Sequence, residues 1–214
     1  MHRIIFLILF IITTACLFAQ EIGELAPPKP LEVFPANAWG FDLMIGESGF
    51  GVGSFYRKQL STKFTVFGDI SFSEAKDERE IEYIDIYGRS FTIGKKNRVF
   101  QIPLTFGAQY RLFENELADN LRPYINIGVG PTIALTTPYN KEFFKAFSYA
   151  QAHYGVGGYA GFGANFGLDK NNLIGLNVRY YYTQFLSKGV EILYNRYKDH
   201  IGGFFVTINF GFMY

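Results

Sequence analysis

Cysteine is almost absent from this chain of 214 residues: Cys16 stands alone. One thiol excludes an intramolecular disulfide framework and a thiol-ligated metal cluster. No sign of charge dominates. Twenty Lys and Arg stand against 19 Asp and Glu, a formal net charge of +1, which excludes the basic footprint of a nucleic-acid-binding protein. Long hydrophobic runs are missing too: no stretch reaches the ~18 apolar residues that mark a transmembrane helix. Tryptophan occurs once, and four of the eight prolines are gathered at Pro27, Pro28, Pro30 and Pro35. What remains abundant is aromatic and small. Phe (24), Tyr (15) and Gly (23) give a composition poor in helix formers and rich in strand formers. The length suits one domain.

The N-terminus reads as a secretory signal. His2 and Arg3 precede the nine-residue apolar run from Ile4 to Ile12, and small and polar residues follow from Thr13 to Gln20. Cleavage is expected after Ala19, so residues 1–19 are assigned to the signal. The tetrad Thr13-Thr14-Ala15-Cys16 has the form of a lipoprotein box, but Thr13 stands where Leu is expected. On the simpler reading Cys16 leaves with the signal and the mature chain has no thiol. Residues 20–37 form a Pro-rich extended leader, and the folded domain occupies 38–214.

Beyond the leader, alternation of period two predicts eight strands, at about 38–46, 50–58, 63–73, 98–112, 122–135, 153–167, 173–183 and 202–214. In the last, Phe204, Val206, Ile208, Phe210, Phe212 and Tyr214 share one face, and Thr207, Asn209 and Gly211 the other. The connections between strands 2 and 3 and strands 6 and 7 are short. Those between 3 and 4, 5 and 6, and 7 and 8 are long, and the tight 1–2 link around Glu47 to Gly49 departs from that rhythm.

Alternation alone does not separate a membrane barrel from a soluble one, but charge placement does. A water-facing surface carries ~25–35% charged residues. Here the less apolar face of all eight strands holds only Asp42, Arg57, Asp69, Arg111 and Arg179; the rest is Gly, Asn, Thr, Gln, Ser and Tyr. Such a face suits a crowded interior, and the apolar face suits lipid. Aromatics gather near strand ends (Trp39, Tyr56, Phe100, Tyr110, Phe212 among them), as interfacial girdles require. Backbone groups in lipid must all be paired, which forces closure. The expected fold is therefore all-β: an eight-stranded antiparallel up-and-down transmembrane β-barrel with a polar, plugged interior. The five charges are expected to form that plug; an ion path is the alternative. Phe55, Phe67, Tyr124, Tyr159 and Tyr181 also point inward and take up space.

The signal, the eight alternating strands, "NVRYYYTQF" at Asn177–Phe185 and "GGFFVTINFGFMY" at Gly202–Tyr214 resemble the small outer-membrane β-barrel proteins, in particular barrels of the Bacteroidota type. The resemblance covers nearly all of the mature chain and is specific for architecture. It implies an outer-membrane location in a Gram-negative-type bacterium, periplasmic chaperones during export, and a monomer embedded in outer-membrane lipid. It also implies that the barrel-assembly machinery reads Phe210, Phe212 and Tyr214.

No nucleophile elbow, phosphate loop or metal-ligand spacing is present, so no cofactor and no catalysis are expected. "GVGGYAGFG" at Gly155–Gly163 lies within a strand, where glycine relieves crowding. His153 and His200 fall near the long-loop ends of strands 6 and 8, with Ser148, Ser187, Glu191 and Asp199 nearby in sequence. An outer-membrane lipid-modifying enzyme with a rim histidine is thus the alternative to a structural, adhesive or binding role, as is a narrow channel. The loops hold the candidate binding residues. Residues 74–97 read as a hairpin carrying Tyr83 and extending strands 3 and 4. Asn140 to Gln151 reads as a short helix with Phe143, Phe144 and Phe147 on one side. It is read as a lid, an interfacial anchor or a binding face, or simply as loop packing over the barrel mouth.

Overall fold

The computed structural model describes residues 34–88, 90–117, 121–166, 171–187 and 189–214. The signal at 1–19, Cys16 and the leader as far as residue 33 lie outside them. Eight long strands form the wall: β1 (Asn37–Gly46), β2 (Gly49–Gln59), β3 (Phe64–Ala75), β6 (Asn97–Arg111), β7 (Leu121–Pro138), β8 (Gln151–Phe166), β9 (Asn172–Phe185) and β12 (His200–Met213). Each pairs antiparallel with its neighbour in the chain, and β12 closes onto β1. Two small hairpins stand apart from the wall, β4 (Glu82–Ile84) with β5 (Ser90–Thr92), and β10 (Val190–Leu193) with β11 (Arg196–Lys198). A four-residue helix α1 (Phe143–Ala146) and a 3₁₀ turn (Phe147–Tyr149) lie between β7 and β8.

The alternation decides which face each residue takes. On β1, Trp39, Phe41, Leu43 and Ile45 are exposed on the outside, and Ala38, Gly40, Asp42 and Met44 are buried inside. The same parity runs through β9, where Arg179 and Tyr181 turn inward between Val178, Tyr180 and Tyr182. Following the register from Gln101 through β3, β2, β1, β12, β9, β8 and β7 leads back to β6 at Arg111, ten residues further along the strand. A stagger of that size over eight strands tilts them by about 40° and gives a barrel radius of about 8 Å. The interior of so narrow a barrel is filled by its own side chains.

Glycine makes that filling possible at the tightest places. A Cβ on Gly161 would lie 2.5 Å from Asn126 Oδ1 and 2.9 Å from Asn177 Oδ1. The two-residue turn Glu47–Ser48 leads into Gly49 at φ 126°, a conformation that disfavours any side chain.

Two expectations about the long loops are corrected. The segment after β3 does form a hairpin, but as a separate two-stranded sheet, because a turn bonded from Glu80 N to Asp77 O interrupts the wall strand. The aromatic segment between β7 and β8 does not lie over the mouth. Phe147 stacks on Phe100 at 5.5 Å and Phe143 meets it edge-on at 6.0 Å. Phe100 points outward from β6, so α1 packs against the outside of the wall. Phe100, expected on the lipid face, is only 5% exposed for this reason.

Candidate functional site

The interior is built in layers. In the middle, Arg179 is 2% exposed and donates to Asp42 Oδ2 at 3.0 Å; its second carboxylate, Asp69 Oδ2, lies 3.8 Å away. Tyr159 OH donates to Asp69 Oδ2 at 2.6 Å, Arg179 Nη1 donates to Tyr181 OH at 3.2 Å, and Asn209 Nδ2 donates to Asp42 Oδ1. The guanidinium lies 4.9 Å over the Tyr159 ring. Met44, Phe67, Tyr159, Tyr181 and Phe205 pack around this network as one buried cluster. A cation with two carboxylates, further hydrogen bonds and an aromatic face is well compensated for its desolvation.

Of the five charges expected to meet inside, three do. Arg57 lies apart, bonded to Asn165 Oδ1 at 3.3 Å and stacked 4.2 Å over Phe55. Arg111 is half-buried, opposite Tyr124 at the short-turn end. Arg122 was missed from the sequence: it shares the inward parity of Tyr124 and holds Phe34 at 3.8 Å. Phe34 packs against Ala38, Phe55, Leu173 and Met213, an apolar layer at the short-turn end. Thr105, Asn177 and Thr207 are also buried, with polar atoms that have no protein partner among the described residues. Internal water commonly serves such groups.

The long-loop mouth is closed by β10. Val190 and Ile192 are fully buried with Ala75, Val99, Ala134, Phe185 and Ile201, inward residues of five different wall strands. The backbone is tied down beside β6: Lys96 N donates to Ile192 O at 2.8 Å and Asn97 Nδ2 to Glu191 O at 2.8 Å. Lys96 Nζ also bonds Glu191 Oε2. That bond holds the Glu191 carboxyl below its ordinary range and raises the Lys96 ammonium above its own. Above the plug, Lys95 meets Glu80 at 2.7 Å and Lys198 meets Asp77 at 3.4 Å. Sequence parity missed this plug because "VEIL" is four residues long, too short for a period to show.

Between the plug and the β7–β8 rim lies an open cleft of about 420 Å³, lined among others by Lys96, Asn97, Thr136, His153, Glu191 and Tyr194. His153 and Glu191 therefore line one cleft, and His153 lies 3.3 Å from Thr136 Oγ1. The other members of the rim constellation do not join them. His200 is on the outer face, stacked on Tyr182 at 5.6 Å, and Ser148 and Ser187 are exposed on separate loops. Asp199 uses its carbonyl to accept from Phe185 N and Gln184 Nε2. Among the described residues no group of three or more His, Cys, Asp or Glu is placed to hold a metal ion.

The loop candidates are exposed. Tyr83 stacks on Phe91 at 5.9 Å, with Ile84, Ile86, Tyr87 and Ile93 open around them. Phe144 is 82% exposed at the tip of α1. Phe210, Phe212 and Tyr214 lie on the outer face of the closing seam. There Asn37 and Tyr214 exchange both backbone hydrogen bonds, at 3.2 and 2.9 Å.

Outside, the wall is apolar around its circumference: Phe41, Leu43, Phe106, Ile127, Val129, Phe162, Leu176 and Phe210 are among its exposed side chains. Trp39, Tyr56, Phe64 and Tyr110 ring its short-turn end, and Phe50, Phe72, Tyr154 and Tyr182 its long-loop end. A closed sheet with every wall strand paired, apolar outside and polar inside, is a transmembrane β-barrel. No protein-family model and no curated protein matches this chain. Solved structures similar to it include the N-terminal β-barrel domain of Pseudomonas aeruginosa OprF, at 13% identity and TM-score 0.46 over 85% of this chain and 100% of that one. Neisserial surface protein A (NspA) is similar at 11% identity and TM-score 0.48, over 86% and 100%. The outer membrane protein OprG from Pseudomonas aeruginosa is similar at 12% and 0.46, over 87% and 99%. At these values the likeness is one of overall barrel shape.

Proposed function

We propose that this chain is an outer-membrane protein of a Gram-negative-type bacterium. It acts through its long loops, as a binding or adhesive surface, and not by catalysis or solute passage. The observation that carries this reading is the filled interior: an apolar layer, an ion-paired network and the β10 plug lie one above another in a barrel only about 8 Å in radius. With the wall turned to lipid, the long-loop end is what remains to meet other molecules. There the β4–β5 hairpin exposes Ile84, Ile86 (93% exposed) and Tyr87, an apolar tip of the kind that marks interaction surfaces. "NVRYYYTQF" and the aromatic closing strand support the Bacteroidota-type reading. Phe210, Phe212 and Tyr214 are proposed as the residues read during assembly, after export directed by residues 1–19.

The test is planar-bilayer recording of the refolded protein, with boiled and unboiled samples compared on SDS gels to show that the barrel is folded. A heat-dependent shift with no discrete conductance steps is expected. Stable single-channel steps would overturn the closed-interior reading. Lipid A that changes mass on overexpression, and not in a His153→Ala strain, would overturn the non-catalytic one.

A further inference from the structure

The loop between β7 and β8 is folded against the outer wall, and the height at which it sits is fixed by β6. Tyr110 and Phe100 are ten residues apart on the outward parity of that strand. At ~3.3 Å per residue and a tilt of about 40°, they are separated by about 25 Å along the barrel axis. That is the height of the apolar band of such barrels, ~25 Å. Tyr110 belongs to the short-turn girdle, so Phe100 marks the opposite boundary, where hydrocarbon gives way to headgroups. Phe100 carries the loop: Phe72 stacks on it at 5.2 Å from β3, and Phe147 at 5.5 Å from above. Thr137, also of outward parity, is 1% exposed beneath the same segment.

Charge is concentrated at the same height. Arg98, two residues from Phe100 towards the mouth, donates to the carbonyls of Pro138 at 3.4 Å and Lys141 at 3.3 Å, and stacks 4.8 Å over Tyr139. Lys141 and Lys145 follow on the exposed side of the loop. From residue 138 to residue 153 the only acid is Glu142. Its bond to Lys145, 2.8 Å, joins side chains 67% and 78% exposed, and a pair so exposed is easily exchanged for a stronger anion. Phe144, 82% exposed, meets the Phe143 ring edge-on at 5.3 Å.

We propose that this patch, with Arg98, Lys141 and Lys145 above Phe143, Phe144 and Phe147, is a docking site for the phosphate-bearing headgroup of an acylated outer-leaflet glycolipid. The cations meet the phosphate, Phe144 inserts among the acyl chains, and the Phe72–Phe100–Phe147 stack forms the wall they lie along. Charge complementarity selects an anionic lipid over a zwitterionic one, since each basic side chain near a charged membrane surface adds to the attraction. The proposal rests on the outer-membrane reading above.

The experiment uses the refolded full barrel in nanodiscs of a zwitterionic phospholipid, titrated with diphosphoryl lipid A, and native mass spectrometry counts retained lipid. The wild type is expected to retain it, and the dephosphorylated form at least roughly tenfold less well. Lys141→Gln/Lys145→Gln is expected to lose the same factor for the diphosphoryl form. This variant spares Arg98, whose carbonyl bonds hold the loop in place. Phe144→Ser is expected to weaken both forms of the lipid alike. Equal retention of the two forms by the wild type, or an unchanged double variant, overturns the site. So does full competition by inorganic phosphate, which would make it a site for a free anion. Failure of the chain to insert, read independently from heat-dependent gel migration, overturns the outer-membrane reading; insertion without discrimination overturns the lipid site alone.

Discussion

Arg179 is a permanent cation 2% exposed, and its position is affordable only because Asp42 lies 3.0 Å away and Asp69 3.8 Å away. Removing one member of a buried ion network leaves its partners charged and unpaired, a change that typically costs ~3–5 kcal/mol. Arg179→Met is therefore expected to lower the urea-unfolding free energy of the refolded barrel by about that amount. Adding Asp42→Asn and Asp69→Asn to Arg179→Met is expected to return most of it, since the triple variant strands no charge. A triple variant no more stable than Arg179→Met would show that the loss came from packing and not from charge. The inward placement of all five strand charges was legible from parity alone. Their pairing was not, because partners on different strands are matched by the stagger of the whole barrel. That stagger brings Arg179 to Asp42 and Asp69 and sends Arg57 to Asn165.

The wall strands were legible as elements, for each is long enough to repeat its period several times. β10 and α1 span four residues each, and their roles come from what they cover: Val190 and Ile192 fill the mouth, and Phe147 covers Phe100 on the outside. The plug is held in part by Lys96 and Glu191, which makes its fit depend on pH. Bonding to Lys96 lowers the Glu191 carboxyl below 4.5, so its contribution is present above that pH and is lost as pH falls through the lowered value. The Lys96 ammonium is raised above 10.5 by the same bond, so its contribution is complete below that pH and is lost only above it. The tether is thus at full strength between about pH 5 and pH 10. A nitroxide attached through Arg196→Cys, on the exposed arm of the hairpin, is expected to give an ordered spectrum in that window and a more mobile one once pH falls through the lowered Glu191 value. Glu191→Gln is expected to give the mobile spectrum at pH 7. An ordered spectrum from Glu191→Gln at pH 7 would mean that the burial of Val190 and Ile192 holds the hairpin without the ion pair.

At the scale of the whole molecule, inside and outside have exchanged the roles they take in a soluble barrel, and this inversion follows from where the sequence leaves out charge. The same alternation with Lys and Glu on its polar face would place Phe41, Ile127 and Phe210 in a core. The two girdles then fix the depth of insertion, because Trp39, Tyr56 and Tyr110 at one end and Tyr154 and Tyr182 at the other each favour the boundary between hydrocarbon and water. Depth has a measurable consequence on a single strand. Ile127, 66% exposed, lies near the middle of the outward row of β7, and Leu121 lies at its short-turn end. An arginine facing lipid costs ~2–4 kcal/mol at mid-depth and ~0–1 kcal/mol near an interface. Ile127→Arg is therefore expected to destabilise the barrel in phospholipid vesicles by several times as much as Leu121→Arg, with urea unfolding followed by the loss of heat-dependent gel migration. Gly128, next to Ile127, faces inward, where a Cβ would meet Thr105 Cγ2 at 2.6 Å, so the depth effect belongs to the outward row alone. Equal costs for the two arginines, or none for either, would mean that water and not lipid surrounds the wall.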